Sequence, residues 1–398
     1  MNAFTSLAVP FARAFTPRRN KTGSPRRAAL IPPAMPGSLG DVAMLSASSA
    51  FLRGQGYAAV DLMFGKDWPL DAPIDRRINA ERFFYKGSDL HFASLIPRLA
   101  AYSHAYFIGA DVVDGAYNPG SVRRRIAMLT EVVRLGGSST VLGSSFNAKP
   151  EPSCVAALRA LPAEIAICAR DPVSRARMEQ YLDRPIRQVA DLAFLLEPRA
   201  DHPAANDAIT WIADRRAAGD RVIGLNANYL HAEKHPGLPA ALPTLLKTLL
   251  QGDVSVLLVP HDIRTSRPDA ALLAAAATAL PQADQARVRM IAPESPGAIK
   301  AALAQLDLIV TGRMHAAILA MGGGTPAFSF AYQDKFEGLL TLFGLQSADL
   351  LSTPEDLITN PAAVAAKALA HLDNAPALRA QIEAQLPAVT ALAEQNFA

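Results

Sequence analysis

Short apolar runs, each followed by a helix-length segment, recur along the chain in two successive series. That alternation restricts the fold to the α/β class with mainly parallel sheets. The first series places strands at 28–31, 58–63, 106–108, 140–142, 165–168 and 186–189. After a linker-like stretch at 198–207, with Pro198 and Pro203, the second places them at 221–225, 254–259, 288–291, 308–310 and 327–330. Helical stretches are expected at 242–250, 270–280 and 296–306, with Pro243 and Pro296 in first helical turns, where a missing N–H costs nothing. The expected architecture is two Rossmann-like domains facing a cleft, at 28–197 and 208–372, closed by a C-terminal helix at 373–398.

The chain has 398 residues, half of them hydrophobic, which excludes a disordered protein. Its formal net charge of +3 is unevenly spread. Residues 1–40 hold Arg13, Arg18, Arg19, Lys21, Arg26 and Arg27 and no acid, so the body beyond them is mildly acidic. A body without a basic stripe argues against a nucleic-acid partner. The basic segment 1–27 carries Pro10, Pro17 and Pro25, which argue against a stable helix, and it reads as a flexible extension. Its charge reads as disordered solvated sequence or a mispredicted start, with peripheral contact with an anionic membrane as the functional alternative. Cys154 and Cys168 are too few for a disulfide scaffold. No apolar run approaches the length of a membrane span, and arginines follow the apolar start, the reverse of a secretory signal. A cytoplasmic protein is expected.

Several motifs stand at strand ends, where open α/β sheets bind ligands. Gly37-Ser38-Leu39-Gly40-Asp41 follows the first strand and lacks the glycine fingerprints of nucleotide phosphate loops. Taken alone, Asp41 reads first as a helix cap, with a role toward sugar hydroxyls as the alternative. Asp111 and Asp114 follow the third strand; each is a candidate hydrogen-bonding carboxylate or base, and Asp114 equally an ordinary turn residue. Arg170 offers a guanidinium fork for a carboxylate or phosphate, next to Asp171, a cap for the helix that Pro172 opens. His261 beside Asp262 reads as a titratable pair or a surface turn.

The segment 310–326 carries the most chemistry. It reads as strand, tight turn, helix, glycine stop and strand, with Arg313 and His315 at the helix start, where backbone dipoles favour anions. The next strand ends toward Tyr332 and Lys335, adding a phenol and an ammonium. A phosphorylated carboxylate suits this set. No zinc-protease, hydrolase or calcium-loop motif is present, and no cluster of metal ligands, so no cofactor is expected. An auxiliary magnesium ion stays open.

In order, the segments 37–41, 108–111, 169–171, 189–194, 260–262 and 313–335 resemble the polysaccharide pyruvyltransferase family. The resemblance implies a GT-B-like fold and transfer of pyruvate from phosphoenolpyruvate to hydroxyls of a sugar or lipid-linked oligosaccharide, usually as a ketal. It puts the acceptor with the first domain and phosphoenolpyruvate with the second. It implies donor contacts for Arg313 and His315, and makes Arg170 a further candidate. Two departures touch the acceptor side: Ser38 replaces the asparagine of the family's common Gly-Asn-x-Gly-Asp, and no proline follows Asp191.

The chemistry also fits the residues by themselves. His315 is the expected general acid toward the enol carbon. Arg313, Arg170 and Lys335 would neutralise carboxylate and phosphate, Tyr332 and His261 would be further substrate-binding residues, and Asp41 or Asp111 would orient or deprotonate the acceptor. A nucleotide-sugar glycosyltransferase and a non-catalytic glycan-binding protein are the rival readings.

Overall fold

The computed structural model describes residues 3–19, 24–264, 269–331 and 335–398. Among them, the first seven strands are β1 (Arg27–Ile31), β2 (Ala59–Leu62), β3 (Arg76–Arg77), β4 (His104–Phe107), β5 (Ser138–Ser144), β6 (Ala166–Ala169) and β7 (Arg187–Gln188). The other six are β8 (Arg221–Asn226), β9 (Val254–Leu258), β10 (Val288–Met290), β11 (Leu308–Thr311), β12 (Ala327–Phe330) and β13 (Leu351–Ser352).

All strand pairings are parallel. One sheet runs β3-β2-β1-β4-β5-β6-β7 and the other β10-β9-β8-β11-β12-β13. Each is a doubly wound sheet whose strand order reverses beside its first strand, and ligands in such sheets bind at that reversal, outside the carboxyl ends. The reversals lie between β1 and β4, and between β8 and β11. The central strands are apolar on both faces, as parallel strands covered by helices must be. Ala28–Ile31 in β1 and all of β11 are buried. The two Rossmann-like sheets bear out the expected fold class.

The chain divides into two compact units. Unit 1 comprises 1–36, 44–195 and 392–398; unit 2 comprises 37–43 and 196–391. The expected division left the first glycine turn with the N-terminal domain. Its hydrogen bonds lie in unit 2 instead, because Leu39 N–H donates to His261 O at 3.0 Å and Ile263 N–H to Gly37 O at 2.8 Å. The helix Ala375–Glu394 leads to a last segment that belongs to unit 1. There Asn396 accepts from Gly143 N–H at 2.7 Å and donates to Ala190 O at 3.0 Å.

Two further expectations need correction. Residues 3–15 form a helix, Ala3–Phe15, with Pro10 inside it. Packing outweighs the proline: Val9 and Ala12 lie against the core of unit 1, and Arg13 pairs with the buried Glu131 at 2.8 Å. Pro17 falls beyond the helix. Pro243 lies inside the helix Leu238–Leu249 rather than at its start, since Pro239 already occupies the first turn. Pro296 does open its helix, with Ser295 as the cap.

Candidate functional site

In unit 2, the reversal between β8 and β11 positions a set of polar side chains. Thr311, ending β11, donates to Asn226 Oδ1 at 3.0 Å and receives the N–H of Arg313 at 2.9 Å. Asn228 Nδ2 donates to Gly312 O at 3.2 Å. These bonds hold the turn so that Arg313, in extended conformation, immediately precedes the helix Met314–Met321.

The Arg313 guanidinium is gripped by Asp269. Its Nε and Nη2 donate to the two carboxylate oxygens at 3.0 and 2.9 Å. Asp269 is fully buried, and it also accepts the backbone N–H groups of Tyr229 at 3.1 Å and His261 at 3.2 Å. The guanidinium carbon lies 5.1 Å from the centre of the Tyr229 ring. A neighbouring group extends the charge network: Asp262 receives Arg264 at 2.7 Å and lies 3.5 Å from Arg313. Arg264 also donates to the Tyr229 hydroxyl at 2.9 Å. Burial raises the Asp262 carboxyl above its ordinary range, against the opposing pull of Arg313 and Arg264.

His261 and His315 face each other with nearly parallel rings, 6.4 Å between centres. His261 is buried, and neither of its ring nitrogens has a hydrogen-bond partner among the described residues. Burial, followed by the nearby His315 and Arg313, holds it well below the ordinary histidine range. It is therefore not the surface turn residue that one reading expected. His315 is only partly buried.

The first glycine turn closes over these groups. A Cβ on Gly40 would stand 2.2 Å from the His315 ring, and one on Gly37, whose φ is +140°, would stand 2.3 Å from the Arg264 side chain. The glycines thus admit an imidazole and a guanidinium against the backbone. Helix capping falls to Ser38, whose hydroxyl accepts the Asp41 N–H at 3.4 Å, and Asp41 sits in the first turn of Leu39–Gly54. Lys335 is buried at the start of Lys335–Leu342, and Tyr332 lies outside the described residues.

Unit 1 holds the remaining candidates. Asp111 follows β4 and accepts the Tyr117 hydroxyl at 3.0 Å. Asp114 is a turn residue, accepting Ala116 and Asn147 N–H groups at 3.0 Å each. Arg170 is buried rather than open to a ligand: it donates to Asp191 at 2.7 Å and to Ser145 at 2.8 Å. Burial disfavours its charge, but Asp191, Asp111 and Asp171 outweigh that and raise its pKa. Asp171 caps Pro172–Leu182, accepting Ser174 N–H at 2.7 Å. No group of three or more His, Cys, Asp or Glu residues able to hold a metal occurs among the described residues.

A sequence model of the family described as polysaccharide pyruvyl transferase matches residues 39–334. The chain belongs to that family. No curated protein matches it in sequence. Solved structures share the fold at low identity. Anabaena Alr3699/HepE, in complex with UDP and glucose, aligns with TM-score 0.57 at 12% identity, over 92% of this chain and 97% of that one. UDP-GlcNAc 2-epimerase from Neisseria meningitidis, bound to UDP-GlcNAc, gives 0.55 at 10%, over 89% and 94%. Sucrose-phosphate synthase from Thermosynechococcus elongatus gives 0.54 at 17%, over 93% and 97%. These likenesses support the GT-B-like class.

Within this family member, the geometry explains two family segments as one ion pair, Arg170 with Asp191. Ser38 keeps the cap chemistry of the asparagine it replaces, since the two residue types cap about equally well. Sequence reasoning missed Asp269, Arg264 and Tyr229. Asp269 stands at the start of the helix Asp269–Thr278, where an acid reads as a dipole partner, and 44 residues separate it from Arg313.

Proposed function

We propose that this pyruvyl transferase moves the pyruvyl group of phosphoenolpyruvate onto hydroxyls of a sugar, in a glycan or lipid-linked precursor, as a ketal, with release of phosphate. It does so in the cytoplasm and without a cofactor. The observation that carries the reading is Arg313, locked by Asp269 two residues before His315 at a helix start, in a chain of this family. A guanidinium held in one orientation recognises a carboxylate or phosphate without losing freedom on binding.

His315, protonated, gives its proton to the methylene carbon of the enol, leaving a cationic centre at the carbon bearing the phosphate. A sugar hydroxyl oxygen bonds to that centre, and its proton passes to a carboxylate, for which Asp41, in the same unit, is the candidate. The carbon–oxygen bond to phosphate then breaks, phosphate leaving with the electron pair. A second hydroxyl closes the ketal and its proton leaves with phosphate. Arg313, with Lys335, offsets the donor's negative charge throughout. Arg170 supports unit 1 through Asp191 instead of contacting the donor.

The test is incubation with phosphoenolpyruvate and a panel of sugar acceptors, following phosphate release and the mass of the product. Wild type is expected to give both phosphate and pyruvylated sugar, and Arg313→Ala or His315→Ala to lose most turnover. Turnover of a nucleotide sugar with no pyruvylated product would replace this reading with a glycosyltransferase.

A further inference from the structure

The helix Ala3–Phe15 carries apolar residues that face inward and others that face outward. Val9 and Ala12 pack against the core of unit 1, and Arg13 reaches Glu131. Leu7, Phe11 and Phe15, spaced four apart and so aligned along one face, point outward with 64, 65 and 73% of their surface exposed. The Phe11 and Phe15 rings touch each other, with centroids 4.6 Å apart. A fourth exposed residue, Leu90, at 58%, lies on Asp89–Leu99, the helix packed beside it. Four of the five strongly exposed large apolar residues among those described therefore belong to one pair of helices. Such a cluster marks an interaction surface.

Charge says what covers it. The sequence following the helix continues with Arg18, Arg19, Lys21 and Arg26, and residues 1–40 contain no acid, while Arg27, in β1, pairs with the buried Asp61 at 3.1 Å. Arg18 and Arg26 are exposed. Arg123 and Arg124 line a pocket of ≈ 330 Å³ beside Val9, where Asp89 is the acidic wall. A symmetric pairing of two copies would bring identical patches together, setting this basic segment against itself. An anionic bilayer accepts both features at once, aromatic and leucine side chains at the acyl boundary and arginines among the headgroups. No described helix is long and apolar enough to cross a membrane.

We infer that the Ala3–Phe15 helix is an interfacial helix that docks the protein on an anionic lipid surface. The inference does not depend on the donor substrate proposed above.

The experiment is co-sedimentation of the full chain with vesicles of phosphatidylglycerol and phosphatidylcholine, against vesicles of phosphatidylcholine alone. Binding is expected to the anionic vesicles, to weaken as ionic strength rises, and to fall roughly tenfold or more in the double variant Phe11→Glu/Phe15→Glu. Both positions are exposed, and an unchanged circular dichroism melt would show the fold intact. As a second measurement, Phe15→Trp should give an emission that shifts to the blue with anionic vesicles only. Absence of sedimentation with anionic vesicles, or equal binding to neutral ones, overturns the inference. So does a concentration-dependent dimer that Phe11→Glu abolishes while vesicles go unbound, which would assign the face to a second copy.

Discussion

Asp269 holds both Nε and Nη2 of Arg313, and two backbone N–H groups complete its carboxylate. Only the direction in which the guanidinium points, not its presence, is set by this pair. Asp269→Asn keeps the shape but leaves a buried arginine without its main counter-charge. Removing one member of a buried pair typically costs about 3–5 kcal/mol, so the urea midpoint should fall clearly. In the variant that stays folded at low temperature, kcat/KM for phosphoenolpyruvate should fall roughly 10- to 100-fold, mostly through KM. An unchanged KM would mean that Arg313 does not bind the donor.

Gly40 tests the glycine turn. A methyl group there would stand 2.2 Å from the His315 ring, so Gly40→Ala must displace the imidazole or the turn. Helix propensity favours alanine by about 1 kcal/mol, which opposes the steric cost and helps the variant to fold. The expected result is a loss of at least about tenfold in kcat, since small misplacement of a catalytic group is costly. Gly54, at the far end of the same helix, has open space at its Cβ position, and Gly54→Ala should leave kcat unchanged.

Arg170 and Asp191 should behave as a stability pair. Arg170→Ala strips a buried carboxylate of its guanidinium, an effect of about 3–5 kcal/mol that chemical unfolding would register. Asp191→Asn should destabilise by a similar amount, with the double variant less than additive. Single variants that fold normally but lose affinity for phosphoenolpyruvate would return Arg170 to the donor site.

Much of this fold was legible because continuous apolar runs in parallel sheets need no partner to be recognised. The buried run of β1 and the apolar β9 are visible from residue types alone. The two-residue strands β3, Arg76–Arg77, and β13, Leu351–Ser352, carry no such signal and exist because a neighbouring strand pairs with them. Arg313 and His315 stood out by residue type and spacing. What held them did not: Asp269 reaches Arg313 only after the sheet is assembled, and an acid at a helix start has an ordinary explanation. The partner of Arg170 was hidden in the same way, since an arginine at a strand end shows nothing of the carboxylate, Asp191, that it pairs with. The Ala3–Phe15 helix was obscured by Pro10, whose local cost is visible while the packing that offsets it is not.

Two histidines, His104 half-buried and His261 fully buried, make the protein sensitive to acid. His104, in β4, has its pKa lowered to about 4 by burial and then by Arg26, and its ring stacks on Tyr106 while Nε2 bonds Thr140 at 2.8 Å. His261 is lowered well below 6.5, chiefly by burial. In the unfolded chain both take up a proton near pH 6.5, while in the fold both remain neutral. The unfolded state therefore binds more protons, and stability falls as pH drops below about 6.5. For His104 the decline ends near pH 4, where the folded side chain also becomes charged, and totals about 3 kcal/mol. His104→Gln should flatten its share of the slope between pH 6.5 and 4 in urea unfolding series, with unit 2 retaining the part owed to His261. A melting temperature that holds steady across that window in wild type would show that neither ring is held neutral by the fold.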